Sequence, residues 1–270
     1  MNRFMNKTPF TVALLISTYK WPEALEVVLK SVVYQSHIPD EIIIAEDGDD
    51  LRTVYCIERF RKKYGIPVKH VSHEDLGFRK SLILNKALKE VESDYVVEID
   101  GDIIMHREFI ADHIKAAKKG YFIQGSRTML NEWKSHDLLD NKNIEDLHPF
   151  ARGIYSRFNS FRIPLFSNLF WVNPKKSYNI KGCNLAFWRE DYIRVNGYYS
   201  GFEGWGWEDY EFGERLINLG IKKKRLKMAA IGYHIFHPRS SRANFVPNEM
   251  IYRETVLFKY TYRANGYMEA

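Results

Sequence analysis

Cysteine is nearly absent: Cys56 and Cys183 are the only two among 270 residues. They lie far apart with no Cys-x-x-Cys pair, which argues against a disulfide framework or a cysteine-built zinc site and fits a reducing compartment. No stretch approaches the roughly 18 uncharged apolar residues of a membrane-spanning helix, and the opening MNRFMNKTPF carries no apolar secretion-signal core. The expectation is a soluble, cytoplasmic protein, able at most to sit on the inner face of a membrane. Internal repeats and low-complexity tracts are also missing. Net charge is only +6, from 40 basic and 34 acidic residues, so composition gives no ground for a nucleic-acid partner. What is plentiful is apolar and aromatic side chain, 45% and 15% of the chain, ample for a large core.

The first 125 residues alternate short apolar runs with helical spacing. TVALLIS reads as a strand, and Pro22 opens a helix carrying Leu25, Val28, Leu29, Val32 and Val33. EIIIAEDGDD repeats the pattern, with a helix over 51–64; PVKHVSHED gives a third strand, and a third helix over 78–91 would bury Leu82, Leu84, Ala87 and Leu88. Tyr95 to Ile99 is a fourth strand. Apolar strands without clean alternation, separated by helices, predict an α/β fold with a mostly parallel central sheet flanked by helices. Ligands of such sheets bind beyond the carboxyl ends of the strands, where this chain carries Ser17-Thr18-Tyr19, the Glu46–Asp50 loop, His73-Glu74-Asp75 and Asp100-Gly101-Asp102.

Asp100-Gly101-Asp102 can be read as a hairpin turn, since Asp-Gly favours one. The residues beyond it, however, run through MHREF towards a helix instead of mirroring the strand. Two carboxylates one residue apart at a strand end can face a hard divalent cation together. Further on, GFEGWGWEDYEFGERLINLG contains a helix whose first turn holds Glu208, Asp209 and Glu211. The Gly-Trp-Gly-Trp before it sets flat apolar faces beside acids, an arrangement suited to a sugar. YHIFHP supplies His234 and His237, and imidazole with carboxylate favours manganese over magnesium. In HEDLGFRKSLILN, Arg79 and Lys80 open a helix, where an N-terminus with adjacent cations suits phosphate. Residues 131–181 read as loop-rich. Their basic, aromatic part, 152–181, contains Arg152, Arg157, Arg162, Lys175, Lys176 and Lys181 among Tyr155, Phe158, Phe161, Phe166, Phe170, Trp171 and Tyr178. It is either an irregular packed loop or a contact with anionic membrane lipid. A final helix is expected near 248–260.

Taken in order, STY, EDGDD, GFRKSLILNKAL, VVEIDGDI, GCNLAFWRED, GWGWEDYEF and HIFHP resemble the family 2-type inverting glycosyltransferases of GT-A fold. The last three motifs resemble the half shared with galactosyl- and N-acetylgalactosaminyl-transferases, including bacterial chondroitin-type polymerases. The resemblance spans residues 11–238 and implies a Rossmann-like nucleotide-binding half over 1–125 fused to an acceptor half over 126–240, with a helical extension over 241–270. By the same resemblance Thr18, Tyr19, Asp47 and Arg79 line a uridine pocket, and Asp100 lies by the ribose and metal. Asp102 and His237 ligate Mn2+ (or Mg2+), with His234 as the alternative ligand. Asn184, Trp205 and Glu208 contact substrate, and Asp209 is the catalytic base. Two departures bear on the donor side. The loop reads Glu46-Asp47-Gly48-Asp49 where the family has two aspartates, a glycine and a serine, and Leu84 stands where an arginine is usual. Arg79 or Lys80 is then left to meet the pyrophosphate.

The implied reaction moves a hexose or N-acetylhexosamine from a UDP-sugar to a hydroxyl of a saccharide or lipid-linked saccharide, in surface-polysaccharide or lipopolysaccharide synthesis. Two competitors remain. A sugar-phosphate nucleotidylyltransferase would need a glycine-rich loop after the first strand, but STYKWPEAL has no glycine. A non-catalytic carbohydrate-binding module would not need the intact acid pairs.

Overall fold

The computed structural model describes residues 8–169, 173–238 and 241–270; Phe170 and Trp171 of the basic, aromatic segment lie outside them. The expected alternation is present: β1 (Val12–Thr18), α1 (Pro22–Val33), β2 (Glu41–Glu46), α2 (Leu51–Tyr64), β3 (Lys69–Ser72), α3 (Lys80–Lys89) and β4 (Tyr95–Asp100). Local chemistry sets the boundaries. Pro22 stands in the first turn of α1. The Asp50 side chain accepts the Arg52 amide at 2.9 Å to start α2, and Gly65, at φ 65°, ends it. On α3 the buried positions include Ile83 and Leu84, whereas Leu82 is only half-buried.

The remainder comprises β5 (Ile103–Met105), α4 (Phe109–Ala116), β6 (Tyr121–Gln124), β7 (Ser126–Leu130), α5 (Glu132–Asn141), β8 (Ile154–Tyr155), β9 (Asn184–Trp188), α6 (Arg189–Arg194), α7 (Glu208–Asn218), β10 (Lys222–Arg225), β11 (Ile231–His234) and α8 (Phe245–Phe258). The stretch 131–181 is loop-rich as expected but also holds the unforeseen α5, whose start is fixed by the Asn131 side chain accepting the Lys134 amide at 2.8 Å. The last helix begins three residues earlier than expected, at Phe245.

Seven strands form the central sheet in the order β10-β6-β9-β4-β1-β2-β3. Only β9 runs against its neighbours, pairing antiparallel with both β4 and β6. The amino end of β9 therefore lies on the same rim as the carboxyl ends of the other six. Because strands from both sides of residue 125 share this sheet, the two expected halves share one body. β1 is buried along its whole length, and core side chains cover both faces of the sheet.

The aspartate-glycine-aspartate stretch does not form a hairpin. β5 leaves β4 and pairs instead with β11 in a smaller sheet, order β5-β11-β7-β8, setting His234 opposite Ile103. Glycine is required between the acids, because a Cβ at Gly101 would lie 2.9 Å from the Thr18 side chain. No helix among the described residues is long and apolar enough to cross a membrane.

Candidate active site

At the end of β4, Asp100 Oδ1 accepts from Ser17 Oγ at 2.9 Å and from Lys80 Nζ at 2.5 Å. Burial favours protonation of Asp100, but Lys80 outweighs it and holds the carboxyl below its ordinary value. Two residues on, Asp102 Oδ2 lies 3.3 Å from His237 Nε2 and 3.6 Å from His234 Nε2. The ligand atoms of these three residues all fall within 4.8 Å of one another. Asp102 Oδ1 is buried without a hydrogen-bond partner. Burial, with the charge of Asp100, raises the Asp102 pKa despite the two histidines. Burial also lowers His234, so its ring is neutral near pH 7, the form that ligates metal. His237 Nδ1 donates to the Pro238 carbonyl at 2.7 Å, which leaves the Nε2 lone pair towards Asp102. An orphaned carboxylate oxygen beside two imidazoles fits a divalent transition ion. Both histidines, not His237 alone, belong to this set.

On the β1–β2–β3 side of the rim, the residues expected at a uridine pocket come together. The Asp47 amide donates to the Thr18 carbonyl at 2.9 Å. Its carboxylate takes the Arg79 amide at 2.7 Å and lies 2.7 Å from His73 Nε2. The exposed Tyr19 ring stands over Gly48, with its hydroxyl 3.4 Å from Asp75 Oδ2. The Arg79 guanidinium donates to the Glu74 carbonyl, so it is held along the loop, while Lys80 turns into the acids. Of the two cations expected to meet a pyrophosphate, Lys80 is the one aimed at the metal-binding end.

The catalytic-base candidate sits at the start of α7. Asp209 Oδ2 accepts the Gly182 amide at 2.7 Å, and its Oδ1 has no partner. Burial raises the Asp209 pKa against the pull of Lys80. Glu208, which accepts the Gly206 amide at 3.0 Å, is pushed up to about 7 by burial and by the Asp209 charge. Before them, Gly206 at φ 112° and Trp207 at φ 77° make the turn that Gly-Trp-Gly-Trp encodes. The two rings differ in fate. Trp205 is 40% exposed and stacks on Phe245, whereas Trp207 turns inward against Tyr210 and Tyr252. Trp205 is the more exposed of the two, with the Arg242 guanidinium 5.7 Å from its ring centre.

Asn184, expected to contact substrate, lines a cleft with Arg127, Lys181 and Arg225 and is also bound within the protein. Its side chain is buried, with Oδ1 2.9 Å from His113 Nε2 and Nδ2 donating to the carbonyls of Ser126 and Ala230 at 2.9 and 2.8 Å. These bonds tie β9 to the strand ends around it, a positioning task. The sequence reading also passed over Glu98, buried in β4 beneath the acids. Tyr198 donates to Glu98 Oε1 at 3.0 Å, Oε2 is unpartnered, and burial pushes the carboxyl up to about 8. A lone acid inside the apolar YVVEID was its signal.

A mostly parallel sheet whose carboxyl rim carries this acid–imidazole set has the GT-A glycosyltransferase fold. Similar solved chains include a mannosyltransferase from Pyrobaculum calidifontis in complex with GDP-Man and Mn2+, with TM-score 0.63 and 16% identity over 92% of this chain and 64% of that one. The S. aureus TarS 1-349 chain in complex with UDP gives TM-score 0.63 and 15% identity over 92% of this chain and 65% of that one. A family model described as glycosyl transferase family 2 matches residues 13–186, and one described as the N-terminal domain of galactosyltransferase matches 166–238. The chain belongs to glycosyl transferase family 2 and is a glycosyltransferase with a galactosyltransferase-like C-terminal region. Among curated relatives, a chondroitin synthase of Pasteurella multocida is 25% identical over 77% of this chain and 23% of its own length. A chondroitin synthase of Escherichia coli is 23% identical over 83% of this chain and 34% of its own. This chain thus spans about a quarter to a third of those relatives.

Proposed function

We propose that the chain transfers a hexose or N-acetylhexosamine from a UDP-sugar to a hydroxyl of a saccharide acceptor, with inversion, in the synthesis of a surface glycan. The observation that carries the reading is Asp209, fixed through one oxygen by the Gly182 amide and unpartnered at the other, on the rim that also bears Asp102, His234 and His237. The acceptor oxygen bonds to the anomeric carbon as the bond from that carbon to the diphosphate breaks, and its proton passes to Asp209 Oδ1. Lys80 holds the Asp100 carboxyl below its ordinary value, opposes the rise at Asp209 and adds positive charge where the leaving group departs. Asp102, His234 and His237 would hold manganese, or magnesium; when bound, the ion neutralises charge on the leaving diphosphate. Thr18, Tyr19, Asp47 and Arg79 would receive the uridine, and Trp205 and Glu208 a sugar ring. Nucleotides in the solved neighbours and the glycan-synthase names of the relatives support this donor and product class.

The test is UDP release from a panel of UDP-sugars with manganese and candidate acceptors. Asp209→Asn should keep UDP binding and lose transfer by 10²–10⁴-fold, about what a positioned base supplies. Chelation should abolish activity and manganese restore it; full activity in chelator would remove the metal from the scheme. Exposed Phe158, Leu165 and Phe166 beside exposed Arg157 also support peripheral contact of 152–181 with anionic lipid. Arg162, bound to Asp112, is not part of that surface charge. Failure to pellet with anionic vesicles at low salt would refute this contact.

A further inference from the structure

Beyond β4, the rim carries a second charged feature. A cleft over the ends of β9, β6 and β10 is lined by Arg127, Lys181, Arg225 and Lys227, with Gln124, Asn159 and Asn184, and no acid lines it among the described residues. Lys227 Nζ donates to Asn159 Oδ1 at 2.6 Å, and Arg127 reaches only the Cys183 sulfur, at 3.5 Å. Arg127, Lys181 and Arg225 have no carboxylate ion-pair partner among the described residues, although the chain pairs many of its other basic groups. Burial and the surrounding charges of Arg127, Arg225 and Lys227 depress the Lys181 pKa. Cations gathered in a concave site at this cost to one another await an anion.

Strand order says which substrate that anion belongs to. Thr18, Asp47 and His73 mark the nucleotide side at β1, β2 and the segment after β3, Asp100 and Asp102 mark the centre at β4, and the cleft lies on the opposite side over β9, β6 and β10. Lys181 immediately precedes Gly182, whose amide holds Asp209. The basic cleft therefore adjoins the base on the side away from the nucleotide. We infer that Arg127, Lys181, Arg225 and Lys227 form an acceptor subsite for an oxyanion, so that the acceptor carries a negative group, either the carboxylate of an acidic sugar or a phosphate. This rests on the reading that Asp209 faces the acceptor.

The experiment measures binding of methyl β-D-glucuronide, glucose 6-phosphate and methyl β-D-glucoside to the protein loaded with UDP and manganese, by calorimetry, at fixed ionic strength. The wild type should bind at least one charged probe about tenfold more tightly than the neutral one, the scale of a charged hydrogen bond. The tighter of the two charged probes identifies the source of the oxyanion. Arg225→Gln should lose that preference, Arg225→Lys should retain most of it, and UDP affinity should be unchanged in both. Equal binding of charged and neutral probes by the wild type would overturn the inference, as would loss of UDP affinity in Arg225→Gln, which would put the cleft on the donor side. Failure of every UDP-sugar to release UDP would instead count against the transferase reading, separately from the anion preference.

Discussion

Lys80 Nζ lies 2.5 Å from Asp100 Oδ1, so a cation at the first turn of α3 is locked to the acid ending β4. Burial opposes the Lys80 charge, yet Asp100, Asp209, Glu98 and Glu208 together hold its pKa well above the ordinary value. This one cation offsets four neighbouring carboxyl groups. Lys80→Met should therefore leave them to raise one another, moving the acid limb of the transfer pH profile to higher pH and lowering the maximal rate at least tenfold. An unchanged limb would show that Lys80 does not tune the base.

The acids at the start of α7 give a second pH prediction. A base must be ionised, and burial raises both carboxyls, helped by the charge of Asp100 at Asp209 and by that of Asp209 at Glu208, which is pushed up to about 7. Transfer should accordingly fall as pH drops through the pair's joint titration, at a pH above the ordinary carboxylate range. Glu208→Gln removes the carboxyl that is pushed up to about 7 and should shift the acid limb of kcat to lower pH.

Gly182 is fixed by contact. A Cβ there would come 2.2 Å from Asp209 Oδ1, an overlap that forces the carboxylate aside. Gly182→Ala should reduce transfer about a hundredfold or more with UDP affinity preserved, because misplacement of a reacting group carries a penalty of that size. Equal loss of UDP binding would point to a general disturbance of the rim.

Glu98 links the site to stability. Its folded pKa, about 8, exceeds that of an exposed glutamate because of burial. The folded state thus binds the extra proton: this contribution to stability is full below about pH 4.3 and is lost as pH rises through about 8. Glu98→Gln, neutral at every pH, should flatten the fall in melting temperature between pH 6 and 9, as scanning calorimetry would detect.

The early strands and helices were legible because each carries its own signal: the unbroken apolar run of β1, Pro22 opening α1, Asp50 and Gly65 bounding α2. α5 was less so, since its hydrophobic face is sparse and only the Asn131 cap announces it. The acids and histidines of the site could be named from their motifs, but not their partners. Asn184 matched a motif, but its bonds to His113, Ser126 and Ala230 could not be read from it, and Trp205 and Trp207, alike in sequence, differ in exposure although both meet Phe245.

Sequence alone determined that β1 to β4 would be strands, that their carboxyl ends would share a rim, and that carboxylates and imidazoles would crowd it. Those properties follow from local periodicity and the handedness of strand–helix–strand units, which neighbouring residues encode. Only the tertiary structure decided that both histidines join Asp102, that Lys80 faces acids, and that four cations from three segments line one cleft. Such encounters depend on the reversed insertion of β9 and the detour of β5 to β11, long-range pairings that no local pattern specifies.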